Sequence, residues 1–231
     1  MDLGVDEDKL RNEIRGFDRI NVGCGLSPAQ GWLNIGLFSN NDAPPGEKFP
    51  YGTTKIKQGA MILHFDITKE IPIPKNNIQF VYAGHFIEHL PFKDGIDFLK
   101  KCHQYMKEGG IIRLAFPDLG LWIKKYYEDD SDFFKKYYSL LKWHTKQYPY
   151  LMPELKTKGE IFMLVAQMWG HKWLYDFESV KDVLERAGFV NISREKFRES
   201  SIPDIEKVEP ADEERILESA YVEAEKPSNP P

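Results

Sequence analysis

Residues 20–25 read Ile20-Asn21-Val22-Gly23-Cys24-Gly25, a short apolar run ending in two glycines one residue apart. A run of this length bounded by a turn signal fits a buried strand. Glycine lacks a Cβ, so the turn after the strand can take positive φ and let a ligand come close to the backbone. In α/β proteins the carboxyl end of the first strand is where a nucleotide-like ligand meets such a turn. A dinucleotide fingerprint would need a third glycine three residues after Gly25, and Pro28 stands there. That departure argues against a nicotinamide enzyme.

The chain continues as alternating strand and helix signals. Trp32 to Ile35 is a second apolar run, separated from Val22 by only nine residues. A parallel crossover usually needs about a dozen residues or more, so the first helix is expected to be truncated or missing. Residues 39–58, rich in Asn, Pro, Gly and Lys, read as a long loop. Ala60 to Phe65 is a third strand closed by Asp66, and Ile78 to Tyr82 a fourth. Residues 85–90 read as one helical turn before Pro91, and Asp94 to Lys107 as a surface helix ended by Gly109-Gly110. Ile111 to Phe116 is a fifth strand; the spacing of strands and helices argues for a parallel sheet. Phe177 to Ala187 is an amphipathic helix stopped by Gly188, and Val190 to Ser193 and Ala220 to Ala224 are two late strands.

Residues 119–170 show no strand pattern and interleave aromatic residues with lysines, as in Trp122-Ile-Lys-Lys-Tyr-Tyr and Phe133-Phe-Lys-Lys-Tyr-Tyr. They read as a helical cap whose lysines lay their stems over apolar surface. A sharper reading makes the aromatics an acceptor pocket or a partner face. Residues 1–17 are an acidic N-terminal segment and 227–231 a tail.

Composition narrows the classes. The chain has 231 residues, 42 % of them hydrophobic, and a net charge of −5, which gives no electrostatic case for nucleic acid or an anionic membrane. No segment approaches the roughly 18 consecutive apolar residues that span a bilayer. Cys24 lies inside the glycine turn and Cys102 is the other of two cysteines, so no structural disulfide is expected. A reducing, cytoplasmic setting is the expectation. Cys24 has no base beside it and reads as a small turn residue, not a nucleophile.

His85-Phe-Ile-Glu88-His89 spells H-x-x-E-H, a zinc-peptidase order. Two ligands at that spacing need a sustained helix and a third ligand downstream, and Pro91 follows almost at once. No metal is expected. Glu88 reads as a buried or pocket-edge carboxylate with a hydrogen-bond partner, and His89 as a hydrogen-bonded structural residue. His85, at the mouth of the fourth strand, is the first candidate base, since histidine titrates near neutrality. His171, which follows the cap, is the second. His103 and His144 read as surface positions.

Taken in order, Val22-Gly-Cys-Gly, Trp32 to Ile35, His64-Phe-Asp-Ile67, Phe80 to Pro91, Lys107 to Leu119, His171-Lys-Trp-Leu-Tyr-Asp-Phe, Ala187-Gly-Phe and Tyr221-Val-Glu-Ala-Glu-Lys resemble the class I S-adenosylmethionine-dependent methyltransferases. More narrowly, they look like the small bacterial methyltransferase-domain proteins of glycan and secondary-metabolite pathways. The resemblance covers about residues 18–226. It implies an α/β fold, a doubly wound, seven-stranded, mostly parallel sheet whose last strand is reversed, with the cap at about 119–170 as an insertion. It also implies that S-adenosylmethionine binds at the carboxyl ends of the first strands. Gly23, Cys24 and Gly25 would pass under its methionine part, Gly36 would face the ribose, and Asp66 and Ile67 would flank the adenine. Ala83, Gly84 and His85 would face the sulfonium and the acceptor. The implied reaction is O- or N-methylation of a small-molecule or sugar acceptor, with His85 or His171 as base and no metal.

One position departs from the family pattern. An acidic residue usually ends the second strand and grips both ribose hydroxyls. Here Gly36 stands there, and Asp42 in the next loop is the nearest substitute. Losing two hydrogen bonds would cost about 1–3 kcal/mol. Gln79, where many relatives have Asp, is a smaller departure. Two alternatives follow from Gly36: an enzyme of the same fold with rearrangement or cyclisation chemistry, or a non-catalytic interaction module.

Overall fold

The computed structural model describes residues 5–25, 28–38, 49–147 and 154–228, without the side chains of 142–147 and 168. Asp42, Tyr148 and Tyr150, and the side chain of His144, thus lie outside the described residues. The strands are β1 (Arg19–Val22), β2 (Leu33–Gly36), β3 (Thr54–Lys57), β4 (Ala60–His64), β5 (Ile78–Gly84), β6 (Met106–Pro117), β7 (Val190–Glu195) and β8 (Ser219–Glu225). The helices are α1 (Glu7–Ile14), α2 (Phe92–Tyr105), α3 (Leu119–Tyr127), α4 (Ser131–Gln147), α5 (Lys158–Gln167), α6 (Phe177–Arg186) and α7 (Glu213–Glu218).

All eight strands join one sheet in the order β3-β4-β2-β1-β5-β6-β8-β7. The five strands from β4 to β6 run parallel, whereas β3, β8 and β7 pair antiparallel to their neighbours. The sheet therefore has one strand more than the expected seven. The extra strand, β3, comes from the stretch read as loop. Gln58 and Gly59 both take positive φ, 51° and 77°, and close a two-residue hairpin that pairs Lys57 with Ala60. Both central residues of such a turn are left-handed, and Gln is an unusual choice there, so the hairpin is hard to read from sequence.

Helices cover one face of the sheet. Leu10 and Ile14 of α1, Phe98, Leu99 and Cys102 of α2, and Val180, Val183 and Leu184 of α6 share a core with Val22, Ile35, Val81 and Leu114 of the strands. Alternation along each strand turns the next residues to the other face. There Trp32, Tyr82, Ile202, Ile205 and Val208 form a second core to which, among the described residues, no helix longer than a 3-10 turn contributes. Among the described residues the two helical layers implied by a doubly wound sheet reduce to one. No α-helix separates β1 from β2 among the described residues. In its place, buried Asn34 ties down the connection: Oδ1 accepts from Ala29 N–H and Asn21 Nδ2 at 2.8 Å, while Nδ2 donates to the carbonyls of Ala29, Trp32 and Met61.

The excursion between β7 and β8 is pinned by Arg113. Its buried guanidinium contacts Glu209 at 2.8 Å and Glu223 at 3.0 Å, and donates to the carbonyls of Lys196 and Glu199. Helix α2 ends at Tyr105, earlier than expected, because Gly109-Gly110 lie inside β6, where its register against β5 shifts between Ile78 and Phe80. The cap has its own core, in which Trp122 packs edge-on against Phe133, Phe134 and Tyr137. Among the described residues no helix is long and apolar enough to cross a membrane.

Candidate functional site

The connections leave β1 towards β2 and β4 on one side and return to β5 and β6 on the other, so the sheet changes direction between β1 and β5. Ligands of open α/β sheets bind at the carboxyl ends of the strands beside such a point. Strand register puts Val22 level with Ile35 on one side and with Ala83 on the other. One residue further on, Gly36, Gly23 and Gly84 stand in a row along this edge. Gly23 has φ +67° and its N–H donates to the Ile35 carbonyl at 2.9 Å. A Cβ on Gly23 would come within 3.1 Å of the Phe86 ring, while one on Gly25, with φ +51°, would meet nothing within 4 Å. Gly84 leaves no room for a side chain, since a Cβ would lie 2.4 Å from the Tyr82 hydroxyl.

The other candidates on this edge are more occupied. A Cβ at Gly36 would lie 3.3 Å from the Phe38 ring, which stacks on Phe49 in an aromatic group with His64. Asp66 caps a turn: Oδ1 accepts from Thr68 N–H at 3.0 Å and from its hydroxyl at 2.7 Å. Ile67 is buried in the main core. Burial pushes the Cys24 thiol up to about 11, which leaves it protonated and a poor nucleophile.

Just past Gly84 lies a buried polar cluster. His85 takes the left-handed conformation, φ +50°, and its N–H donates to the Ala115 carbonyl. This turns the chain into the 3-10 turn Ile87–His89. The Glu88 carbonyl then accepts from the N–H groups of Lys172 and Trp173, and Tyr175 pairs with Asp118 at the end of β6. These bonds bring the segment after the cap against the 3-10 turn, and with it His171.

Glu88 is fully buried. Its Oε1 lies 3.3 Å from His85 Nδ1 and 4.0 Å from His171 Nε2. Neither carboxylate oxygen has a well-directed hydrogen bond among the described residues. Burial alone would raise this carboxyl; the contact with His85 and the nearby His85 and His89 outweigh it and leave the pKa below the usual glutamate value. His85 Nε2 is 2.8 Å from the Ser219 hydroxyl. His171 Nδ1 lies 2.7 Å from the Val165 carbonyl, an acceptor that fixes the proton on Nδ1 and leaves the Nε2 lone pair towards Glu88. Burial lowers the His171 pKa, so the ring is neutral at pH 7. The His89 ring stands edge-on to it, 4.8 Å between centroids. His103 is half-buried against Phe189, not a free surface group.

Two further groups were invisible in the sequence. Among the described residues the buried Tyr175 hydroxyl has no partner, and its pKa is pushed up to about 12 by burial and then by Glu88. Glu218, at the end of α7, is raised to about 7 by burial, and its Oε2 is also unpartnered. Buried polar atoms are nearly always satisfied, so several orphans together mark a site built for something other than packing. Glu218 sits in no quoted motif, and Tyr175 lies within the His171-to-Phe177 stretch without a role read from it; the fold draws both to His85 and Glu88.

No family model matches the chain, and no curated protein matches it. Solved structures share its general course. An S-adenosylmethionine-dependent methyltransferase of Archaeoglobus fulgidus is 15 % identical over 95 % of this chain and 92 % of its own, with a TM-score of 0.48. A Thermotoga maritima S-adenosylmethionine-dependent methyltransferase, described as a possible histamine N-methyltransferase, is 12 % identical over 97 % of this chain and 89 % of its own, TM-score 0.49. Phosphoethanolamine N-methyltransferase 2 of Haemonchus contortus, in complex with phosphomonomethylethanolamine and S-adenosylhomocysteine, is 11 % identical over 95 % of this chain, TM-score 0.48. This chain spans about half of the Haemonchus protein, 52 %. Identities this low carry no residue role across.

Proposed function

We propose that this chain is a class I S-adenosylmethionine-dependent methyltransferase that methylates an oxygen or nitrogen of a small-molecule or sugar acceptor. The observation that carries the reading is the row Gly36, Gly23, Gly84 on the carboxyl edge at the sheet's change of direction, with the His85–Glu88 cluster one residue beyond it. At this row the backbone reaches the strand ends with the Phe38, Phe86 and Tyr82 rings packed against the glycines, and Gly25 leaves the turn open. Asp66 and Ile67 at the end of β4 would take the adenine, and Cys24 would lie under the methionine part.

Bound there, the cofactor supplies a methyl group on a positively charged sulfur, an electrophile that needs only an aligned nucleophile. The chain's task is to hold the acceptor and receive its proton. His85 suits the second part. Glu88 at Nδ1 holds the ring and stabilises its protonated form, and an acceptor hydroxyl would take the place of Ser219 at Nε2. His171 closes the same cluster from the cap side.

Calorimetric titration with S-adenosylmethionine and S-adenosylhomocysteine tests the reading. Micromolar binding supports it, and no binding at millimolar concentration overturns it. His85→Asn tolerates the left-handed backbone. It is expected to leave cofactor affinity unchanged while turnover falls by about 10²-fold or more.

A further inference from the structure

We infer that Glu88, His89 and His171 form a binding site for a divalent transition-metal ion of the zinc class. Each offers one ligand atom, and these atoms lie within 4.8 Å of one another. Two imidazoles and a carboxylate are a zinc donor set, and three protein ligands leave a fourth position open. The bonds in such a site are about 2.0–2.2 Å, so the ligand atoms must draw together by roughly 1–1.5 Å, within reach of side-chain rotation.

Three observations point the same way. Both Glu88 oxygens are buried without a directed partner, which is costly for a charge unless a cation or donor meets it. The Val165 carbonyl at His171 Nδ1 leaves the Nε2 lone pair as the ligating atom, the arrangement of a ligand histidine held by an outer partner. His85 stands at 3.3 Å from Glu88, where its N–H can hold the carboxylate in turn. The H-x-x-E-H letters do not work here as in a helix: the 3-10 turn separates His85 from the pair, and His171 arrives from beyond the cap as the third ligand. An ion on these residues would neutralise Glu88, and an acceptor hydroxyl taking its open position would be acidified.

The test uses untagged full-length chain freed of metal with a chelator. Calorimetry with zinc is expected to show one ion per chain with micromolar or tighter affinity. Cobalt is expected to give the intense visible absorption of a four-coordinate ion. His89→Asn and His171→Asn are each expected to weaken zinc by at least tenfold, with the melting temperature of the metal-free chain confirming that both variants fold. Absence of one-to-one binding in the wild type, or zinc affinity unchanged in both variants, overturns the site. Titrations run without cofactor, so the two readings fail separately. A chain that binds zinc but not S-adenosylmethionine overturns the methyltransferase reading alone, and the reverse overturns the metal site alone.

Discussion

Glu88 Oε1 and His171 Nε2 lie 4.0 Å apart although the whole cap separates them in the chain. The approach is backbone-built, since the Glu88 carbonyl takes the N–H groups of Lys172 and Trp173. The cap insertion therefore does more than cover the sheet edge: its return segment delivers an imidazole to a carboxylate that the strand end has already buried. Around this pair the field is asymmetric. Glu88 is held ionised, whereas Glu218, with less compensation, is pushed up to about 7.

That asymmetry has a consequence for stability. Glu218 titrates near 7 in the fold and near 4.5 in the unfolded chain, so between those values the folded state holds a proton that the unfolded chain has lost. Its contribution is fully present below pH 4.5 and falls as pH rises, a loss of about 3 kcal/mol above pH 7. Glu218→Gln is neutral throughout. Urea denaturation across pH 4.5–8 is expected to show the variant gaining on the wild type as pH rises, by about 3 kcal/mol at pH 8. A pH-independent difference would refute the placement of this proton.

Arg113 makes a second prediction, independent of the site. It is fully buried between Glu209 and Glu223. Removing one member of a buried ion group leaves the others uncompensated, at a cost of about 3–5 kcal/mol. Arg113→Met is expected to lose that much in chemical denaturation. Because Glu209 and Glu223 anchor the excursion through residues 196–209, native-state proteolysis is expected to cut there first. A loss under 1 kcal/mol would show that the carboxylates find other partners.

Much of the sheet was legible. The runs at Ile20, Ile35, Leu63, Val81 and Leu114 are strands because β-branched and leucine side chains are buried on both faces of parallel strands. Among the described residues no α-helix follows β1, in line with the short connection to β2. The hairpin strand β3 was not legible, since its turn uses Gln58, and α1 was hidden in an acidic segment, its own buried residues being Leu10 and Ile14. The candidate site was legible in its local parts, the glycine turn and His85-Phe-Ile-Glu88-His89. Its long-range members were not, because Glu218 and Tyr175 reach it through the antiparallel return of β8 and the Asp118–Tyr175 bridge.

Asp66 holds the Thr68 turn, and the adenine contact proposed for it can be separated from that by substitution. Asp66→Ala removes the Thr68 turn bonds and is expected to cost about 1 kcal/mol of stability. Asp66→Asn keeps a carbonyl oxygen for Thr68 but offers an amide NH2 where the adenine amine needs an acceptor. Calorimetry is expected to show cofactor affinity at least tenfold weaker in both variants, with thermal stability kept in Asp66→Asn. Wild-type affinity in both would move the adenine away from β4.

Gly36 is the sharpest test of how the edge is used. Glycine stands where the resemblance implies an acidic residue, and the half-exposed Phe38 ring lies 3.3 Å from the place its Cβ would take. In Gly36→Asp the ring must give by a few tenths of an ångström. A carboxylate on that edge can accept from both ribose hydroxyls, worth about 1–3 kcal/mol, or roughly ten- to a hundredfold in affinity. Titration of Gly36→Asp with S-adenosylhomocysteine is expected to show tightening of that order. Unchanged affinity would mean that no ribose lies at the end of β2, and the ligand of the Gly36, Gly23, Gly84 row would have to be sought among molecules without a ribose diol.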